Sequence, residues 1–376
     1  MLRSIWLLFV YASFLGLGVY APFILALGYV WVDIFRPQEV AYLILNQFPV
    51  AMIMGGGAIG AYLVLDRRHP PMPNFITIAQ ITLAIWSTAT LLWAVSPDWA
   101  WLKWDWAFKT MIFAAFVPFV IRSRVQIEAF LQVFYFSVSA ILLPFGAKII
   151  LSGGGYGQAL GLTSGNFGLN EGSTMAAVAV MTIPIALHLA KHGQLLPKTP
   201  IIKMVYYGMA AAAIFTTIGT FERTGLVGLA VVALGVFLKS RRKILMLMLL
   251  IAIGGGIAAT TSDKWTARMS TIGSYRQDSS AYVRLLVWQW TLNYVLDHPL
   301  GGGFEMYRIS RIELPTQMPG EDVEMQNGRA FHSIYFEVLG EHGWFGFALF
   351  VSLLGVSLLT LRKVSKRTKH IPQLCR

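Results

Sequence analysis

Long apolar stretches separated by short polar or basic turns run through most of the chain. Residues 1–21 and 22–35 predict two short spans or an uncleaved anchor. Arg3 and the step Val19-Tyr20-Ala21 imitate a signal peptide, but the apolar run resumes at Pro22. A span over 40–65 follows, then a basic, proline-rich turn over 66–74 and a span over 75–95. Residues 96–106 hold Trp99, Trp101, Trp104 and Trp106 and read as an interfacial aromatic belt. Further spans are expected over 107–121, 125–151 and 173–190, the last two separated by a polar loop ending at Glu171-Gly172. Residues 204–238 form one apolar run broken only by Glu222-Arg223. At about 1.5 Å per residue this is too long for one crossing of a core about 30 Å thick. It predicts two spans joined by a tight turn at Phe221-Glu222-Arg223-Thr224-Gly225. Residues 244–261 and 344–361 complete a set of about eleven spans, range about 10–12.

Residues 262–341 are the one large hydrophilic region. Ser279 or Ser280 can cap a helix reaching about Leu296. Val283, Val287, Trp290 and Tyr294 share one of its faces, and Arg284, Trp288 and Thr291 another, so it is expected to lie along the membrane surface. Asp297-His298-Pro299-Leu300-Gly301-Gly302-Gly303-Phe304 ends it, and residues 321–328 read as polar and mobile. The organisation expected is therefore a transmembrane part over 1–261, a loop with surface helices over 262–341, a last span within 342–361 and a basic tail over 362–376. The fold class is an all-α polytopic membrane protein.

Composition strengthens this picture: 56% of residues are hydrophobic, 13% are charged and mean hydropathy is +0.61. The formal net charge of +12 taken alone would suit nucleic acid, but 17 of the 30 Lys and Arg sit in short runs between apolar segments. These runs alternate along the chain as the positive-inside rule requires, so the charge reads as cytoplasmic anchoring and no nucleic-acid partner is expected. Residues 262–341 carry seven Lys or Arg against ten Asp or Glu and are placed in the periplasm. Counting back from a cytoplasmic tail puts the N-terminus outside, which Arg3 disfavours. The single cysteine, Cys375, rules out an intramolecular disulfide and a cysteine-based metal site. Gly55-Gly56-Gly57-Ala58-Ile59-Gly60 has the spacing of a dinucleotide fingerprint, but it lies in an apolar helix and reads as close helix packing.

Chemistry is expected at the outer ends of the spans. Arg223, at the lip of two spans, is either half of a surface turn with Glu222 or a phosphate clamp, since guanidinium grips two phosphate oxygens at once. Arg284 is either a headgroup anchor or a second clamp; Arg276, Arg308 and Arg311 are further candidates. His332 stands where the loop re-enters an apolar helix, and a neutral imidazole there can accept a hydroxyl proton. Glu337 and Glu341, at i and i+4, share a face and either orient the helix or bind an acceptor. Glu341 falls opposite His332 on a helical wheel and there is no H-E-x-x-H spacing, so no metal and no cofactor is expected. Asn166, Asn170 and Glu171 are loop filler or a substrate contact. Asp-x-Asp, Walker lysine and Gly-x-Ser-x-Gly patterns are absent from the sequence.

The run His332-Ser333-Ile334-Tyr335-Phe336-Glu337-Val338-Leu339-Gly340-Glu341-His342-Gly343-Trp344-Phe345-Gly346 resembles the signature of the O-antigen ligase and polymerase superfamily. So do Glu222-Arg223-Thr224-Gly225, the run Ala281-Tyr282-Val283-Arg284 and the turn His298-Pro299-Leu300-Gly301-Gly302-Gly303. The branch most resembled is that of the exosortase-associated O-glycosylation ligases. The resemblance implies an inner-membrane glycosyltransferase with its site facing the periplasm. It would use a polyprenyl-diphosphate-linked glycan as donor, and a glycan, a lipid A core or a protein Ser/Thr hydroxyl as acceptor. His332 would serve the acceptor, Arg223 and Arg284 the departing diphosphate, with inversion at the anomeric carbon. A polymerase of the same superfamily is the nearest alternative. A lipid-linked glycan transporter would call for an internal repeat and polar groups at mid-membrane, and neither is visible.

Overall fold

A computed structural model of the 376-residue chain describes residues 2–41, 45–151, 171–240, 242–244, 248, 279–314 and 324–368. It is helical throughout except for one two-stranded sheet among the described residues. The helices are α1 (Leu2–Gly18), α2 (Pro22–Phe35), α3 (Pro37–Val40), α4 (Val50–Leu65), α5 (Phe75–Ala89), α6 (Pro97–Val120), α7 (Arg124–Leu151), α8 (Gly172–His192), α9 (Pro200–Gly219), α10 (Arg223–Lys239), α11 (Ser279–Asp297) and α12 (Ile334–Thr368). Among the described residues, five helical stretches are long and apolar enough to cross a bilayer: Phe75–Trp93, Arg124–Leu151, Gly172–His192, Pro200–Gly219 and Ile334–Thr368. α1, α2 and α4 are apolar but shorter. The protein is a multi-pass, all-α membrane protein.

The chain forms two compact units, residues Met1–Arg68 with Val120–Ser270, and His69–Phe119 with Thr271–Arg376. In the first, α7, α8 and α9 enclose a core of Val138, Ile141, Leu142 and Phe145 from α7, Met175, Ala179 and Ile183 from α8, and Ala213 from α9. Small residues let these helices approach: a Cβ on Gly146 would stand 2.8 Å from the carbonyl oxygen of Ala212. Gly55 does the same for α4, where a Cβ would meet the Tyr29 ring of α2 at 2.8 Å. The glycine run is thus helix packing, as its apolar context predicts. The long run over 204–238 divides as expected, α9 ending at Gly219 and α10 starting at Arg223.

Two expectations are corrected. The span over 40–65 begins only at Val50, after a one-turn α3 and a 3-10 turn over Leu45–Gln47. Pro49 has no N–H to donate and biases Phe48 away from helical backbone, so the helix starts after it. The helix expected over 107–121 begins at Pro97 instead and takes in all four tryptophans as the continuous helix α6, with Pro97 at its start and Asp98 in its first turn, both favoured there.

In the second unit, α11 buries the face that the periodicity picks out. Val287 is fully buried with Met306, Ile312 and Phe331, and Val283, Trp290 and Tyr294 pack around them. That face therefore packs on the protein's own 306–331 segment, where the sequence suggested the membrane surface. The segment includes β1 (Arg311–Leu314), antiparallel to β2 (Glu324–Asn327) with Arg311 opposite Asn327. β2 occupies part of the stretch expected to be mobile. Ile312 points inward while Arg311 and Glu313 are exposed, the period of two that a half-buried strand requires. Four residues are too few for that alternation to be noticed in sequence.

Candidate functional site

The stretch from Phe331 to Gly346 leads into two helices joined at Gly343. Gly343 has φ 64 and ψ −168, a conformation open essentially only to glycine. The apolar span therefore begins at Trp344, the residue at which the hydrophobic pattern starts it. Breaking a helix leaves carbonyls at one end and N–H groups at the other without partners. The 297–304 turn supplies them. Gly302 N donates to Gly340 O and Gly303 N to Glu341 O, both at 2.9 Å, and Trp344 N donates to Pro299 O at 3.0 Å. Trp86 Nε1, from α5, donates to His342 O at 2.8 Å. Gly301 and Gly303 carry φ of +81 and +77, and a Cβ on Gly301 would stand 2.5 Å from Gly343 N. The two motifs are thus one interlocked join.

His332 lies two residues before α12, with φ 50, and its side chain is exposed. Left-handed backbone costs a non-glycine residue on the order of 1–3 kcal/mol and persists only where the surroundings hold it. Here Trp288 Nε1 of α11 donates to the carbonyl of Phe331 at 2.8 Å, and the Trp288 and Phe336 rings stack at 4.8 Å and 3°. Arg284 is exposed on α11 one turn before Trp288, so Arg284 and His332 are both carried by the Trp288 region of one unit. Because His332 precedes the helix, its position relative to Glu341 does not follow a helical wheel.

Glu337 and Glu341 do share a face, and both hold Lys103 of α6. Lys103 Nζ lies 2.8 Å from Glu341 Oε1 and 3.6 Å from Glu305 Oε1, and it also pairs with Glu337. Glu341 Oε1 accepts a further bond, from Glu305 N at 2.8 Å. Glu341 is 2% exposed. Next to it His342 is buried, with Nδ1 3.2 Å from Thr90 Oγ1 and its ring edge-on to Phe304 at 4.6 Å. Among the described residues, no group of three or more His, Cys, Asp or Glu side chains is placed to hold a metal.

In the other unit, Arg223 is the first residue of α10, after Phe221 at φ 58. A cation at a helix N-terminus opposes the helix dipole. Glu171 caps α8 beside this turn, with Ser173 N donating to Oε1 at 3.1 Å and Thr174 N to Oε2 at 2.6 Å. The Glu222 carboxylate comes close enough that a Cβ on Gly172 would lie 3.2 Å from it. Burial pushes the Glu171 carboxyl up, but the bonds from Ser173 and Thr174 outweigh it and hold it below the usual range. A carboxylate held low contributes stability above its unfolded value, about 4.3, and loses it as pH falls through the folded value. Glu171→Ala is therefore expected to cost about 1 kcal/mol at pH 7. The difference in unfolding temperature from the parent protein should shrink below about pH 4.

Residues 2–194 match the Family of unknown function (DUF5935), to which the chain belongs, and residues 208–351 match the O-Antigen ligase family (Wzy_C). The latter range contains Arg223, Arg284 and His332. The chain belongs to the O-antigen ligase superfamily. No curated protein and no solved structure matches it.

Across the chain the sequence candidates separate. Arg284, Arg308, Arg311, His332 and Glu337 are in one unit, and Arg223 and Glu171 in the other. Arg276, Asn166 and Asn170 lie outside the described residues. Arg311 is exposed on β1. Arg308 donates Nε to Glu305 Oε2 at 2.8 Å and stacks its guanidinium 3.8 Å from the Trp99 ring centroid, which fixes its plane. Two residues escaped the sequence reading. Lys103 was hidden among the tryptophans, although an i, i+4 pair of glutamates entering an apolar helix calls for a counter-charge. Trp288 read only as one side of an amphipathic helix.

Proposed function

We propose that this member of the O-antigen ligase superfamily transfers a glycan from a polyprenyl-diphosphate carrier to an acceptor hydroxyl at the periplasmic face of the inner membrane. The observation that carries the reading is that the matched ligase domain spans Arg223, Arg284 and His332, the last exposed and held in left-handed backbone. The acceptor oxygen attacks the anomeric carbon from the side opposite the diphosphate. The carbon–oxygen bond to the diphosphate breaks, and the electron pair leaves with it. His332 takes the acceptor's proton, while the guanidinium groups of Arg223 and Arg284 stabilise the negative charge that builds on the diphosphate. Arg308, held flat by Trp99 and Glu305, offers its remaining N–H groups to the glycan or its phosphates, and Arg276 and the exposed Arg311 are secondary contacts in this reading. Asn166, Asn170, Glu171 and Glu337 border the substrate. The exosortase-associated branch is the subtype proposed.

The test is transfer by purified protein from a defined polyprenyl-diphosphate glycan to each acceptor in turn: a second lipid-linked glycan, a lipid A core and a Ser/Thr peptide. Product on the lipid-linked glycan alone would make the protein a polymerase, and product on none would end the reading. Orientation is tested separately. In a Cys375-free background, cysteines at the exposed positions Glu313 and Ser365 are expected to label from opposite sides with an impermeant thiol reagent. Labelling of both from the periplasm would refute the proposed topology.

A further inference from the structure

The ion cluster around Lys103 reaches the reacting end of α12 through covalent and hydrogen-bonded steps that can be followed one by one. On α6 the rings of Trp101, Trp104 and Phe108 stack at 4.7 and 5.1 Å along one face, and Lys103 projects from another, with its ammonium 5.8 Å from the Phe304 ring centroid. Trp104 Nε1 also donates to Thr88 Oγ1 at 2.8 Å, tying α6 to α5. From this anchored helix the ammonium, 14% exposed, grips Glu337 and Glu341, one turn apart on α12, and Glu305 of the 297–309 turn. Glu337 N donates to Ser333 O at 2.9 Å, the first helical bond of α12, and Ser333 follows His332 directly. On the other side of His332, the Phe331 carbonyl is held by Trp288. His332 is therefore bracketed. Trp288 fixes the residue before it, and the Lys103 grip fixes the turn after it.

A surface ion pair would do little here, because side chains in water move freely and screen one another. Most of this cluster is buried, with the side chains of Glu341 3%, Lys103 14% and Glu305 16% exposed and that of Glu337 at 34%, and an ammonium held there by three carboxylates has few alternative arrangements. A single lysine held by carboxylates from two segments is a costly way to stabilise a fold, which apolar side chains of the same volume would achieve as well. Its particular effect is to define where the first turn of α12 stands relative to α6.

We infer that Lys103, through Glu337 and Glu341, is the positioning residue of His332: it holds the start of α12 so that the imidazole meets the acceptor hydroxyl in reacting geometry. The inference rests on the role given to His332 above. Loss of the grip lets the first turn of α12 shift, and misplacement by about 1 Å can cost about 100-fold in rate.

The experiment compares four purified variants in donor-saturation kinetics with parallel unfolding curves. Lys103→Met is expected to lower kcat by about 10–100-fold while KM for the lipid-linked donor changes by less than about threefold. Lys103→Arg, which keeps the charge, should recover much of that loss. Lys103→Met also leaves buried carboxylates without their cation, so Lys103→Met/Glu337→Gln/Glu341→Gln carries the test where the single variant fails to fold. It is expected to regain the unfolding temperature and not kcat. A folded Lys103→Met with unchanged kcat, or a triple variant that regains both, would make the cluster a packing device and overturn the inference. His332→Asn, run alongside, separates the two claims. If it is active, the assignment of His332 is wrong. If it is inactive while Lys103→Met is fully active, only the positioning role fails.

Discussion

Alanine at Arg223 or Arg284, and asparagine at His332, are each expected to abolish detectable glycan transfer while the protein still inserts and folds. Removing one preorganised group that stabilises developing charge typically costs about 10²–10³ in rate, roughly 2.7–4 kcal/mol. The local structure explains why folding should survive. Arg223 opens α10 against the helix dipole, so alanine there removes an unfavourable charge and keeps a helix former. Arg284 is exposed on α11. His332 needs a residue that tolerates left-handed backbone, which asparagine does better than alanine. Lysine should rescue either arginine only in part, since it keeps the charge and loses the fork. If the three groups serve one transition state, a double change costs much less than the sum of the singles. Additive losses, or an active His332→Asn protein, would refute the joint assignment; kcat/KM measured with one donor and one acceptor decides it.

The second large effect is expected at Gly343, remote from any reacting atom. Gly343→Ala would put a Cβ 2.2 Å from the carbonyl oxygen of Pro299 and force a side chain into φ 64, ψ −168. The backbone penalty is about 1–3 kcal/mol and overpacking adds about the same. The neighbour is backbone on both sides, so little can yield. The join also carries the bonds from Gly302 and Gly303 that close the end of the first half of α12. We expect Gly343→Ala to lower the unfolding temperature sharply in detergent and to lose activity with it. Gly355→Ala, farther along the same helix where a Cβ meets nothing within 4 Å, should be near neutral. Equal behaviour of the two variants would show that the join tolerates a side chain.

Much of this protein was already determined by the order of its residues. Hydrophobic run length set the membrane class, because only helices long enough to cross can satisfy their backbone in lipid. The break at Glu222-Arg223, the start of the last span at Trp344 and the shared apolar face of α11 at Val283, Val287, Trp290 and Tyr294 were all legible in the pattern, since each depends on near neighbours in sequence, whereas what that face packs against was not. Pro49, which delays α4, and the Ile312 alternation in β1 were present in the sequence but too local to outweigh the apolar run on one side and the polar loop on the other. What only the tertiary structure decided is pairing across long separations. Glu337 and Glu341 are visibly a charged face, yet nothing in the chain says that their cation is Lys103, more than two hundred residues earlier. The glycine turn and the Gly343 join are each recognisable alone, but that one closes the other depends on where folding brings two backbones. The same holds for Trp288 and the carbonyl before His332. Spans follow from local burial, whereas the partners of a buried charge or a broken helix end are fixed by which distant groups arrive within hydrogen-bonding reach, and sequence spacing carries no measure of that distance.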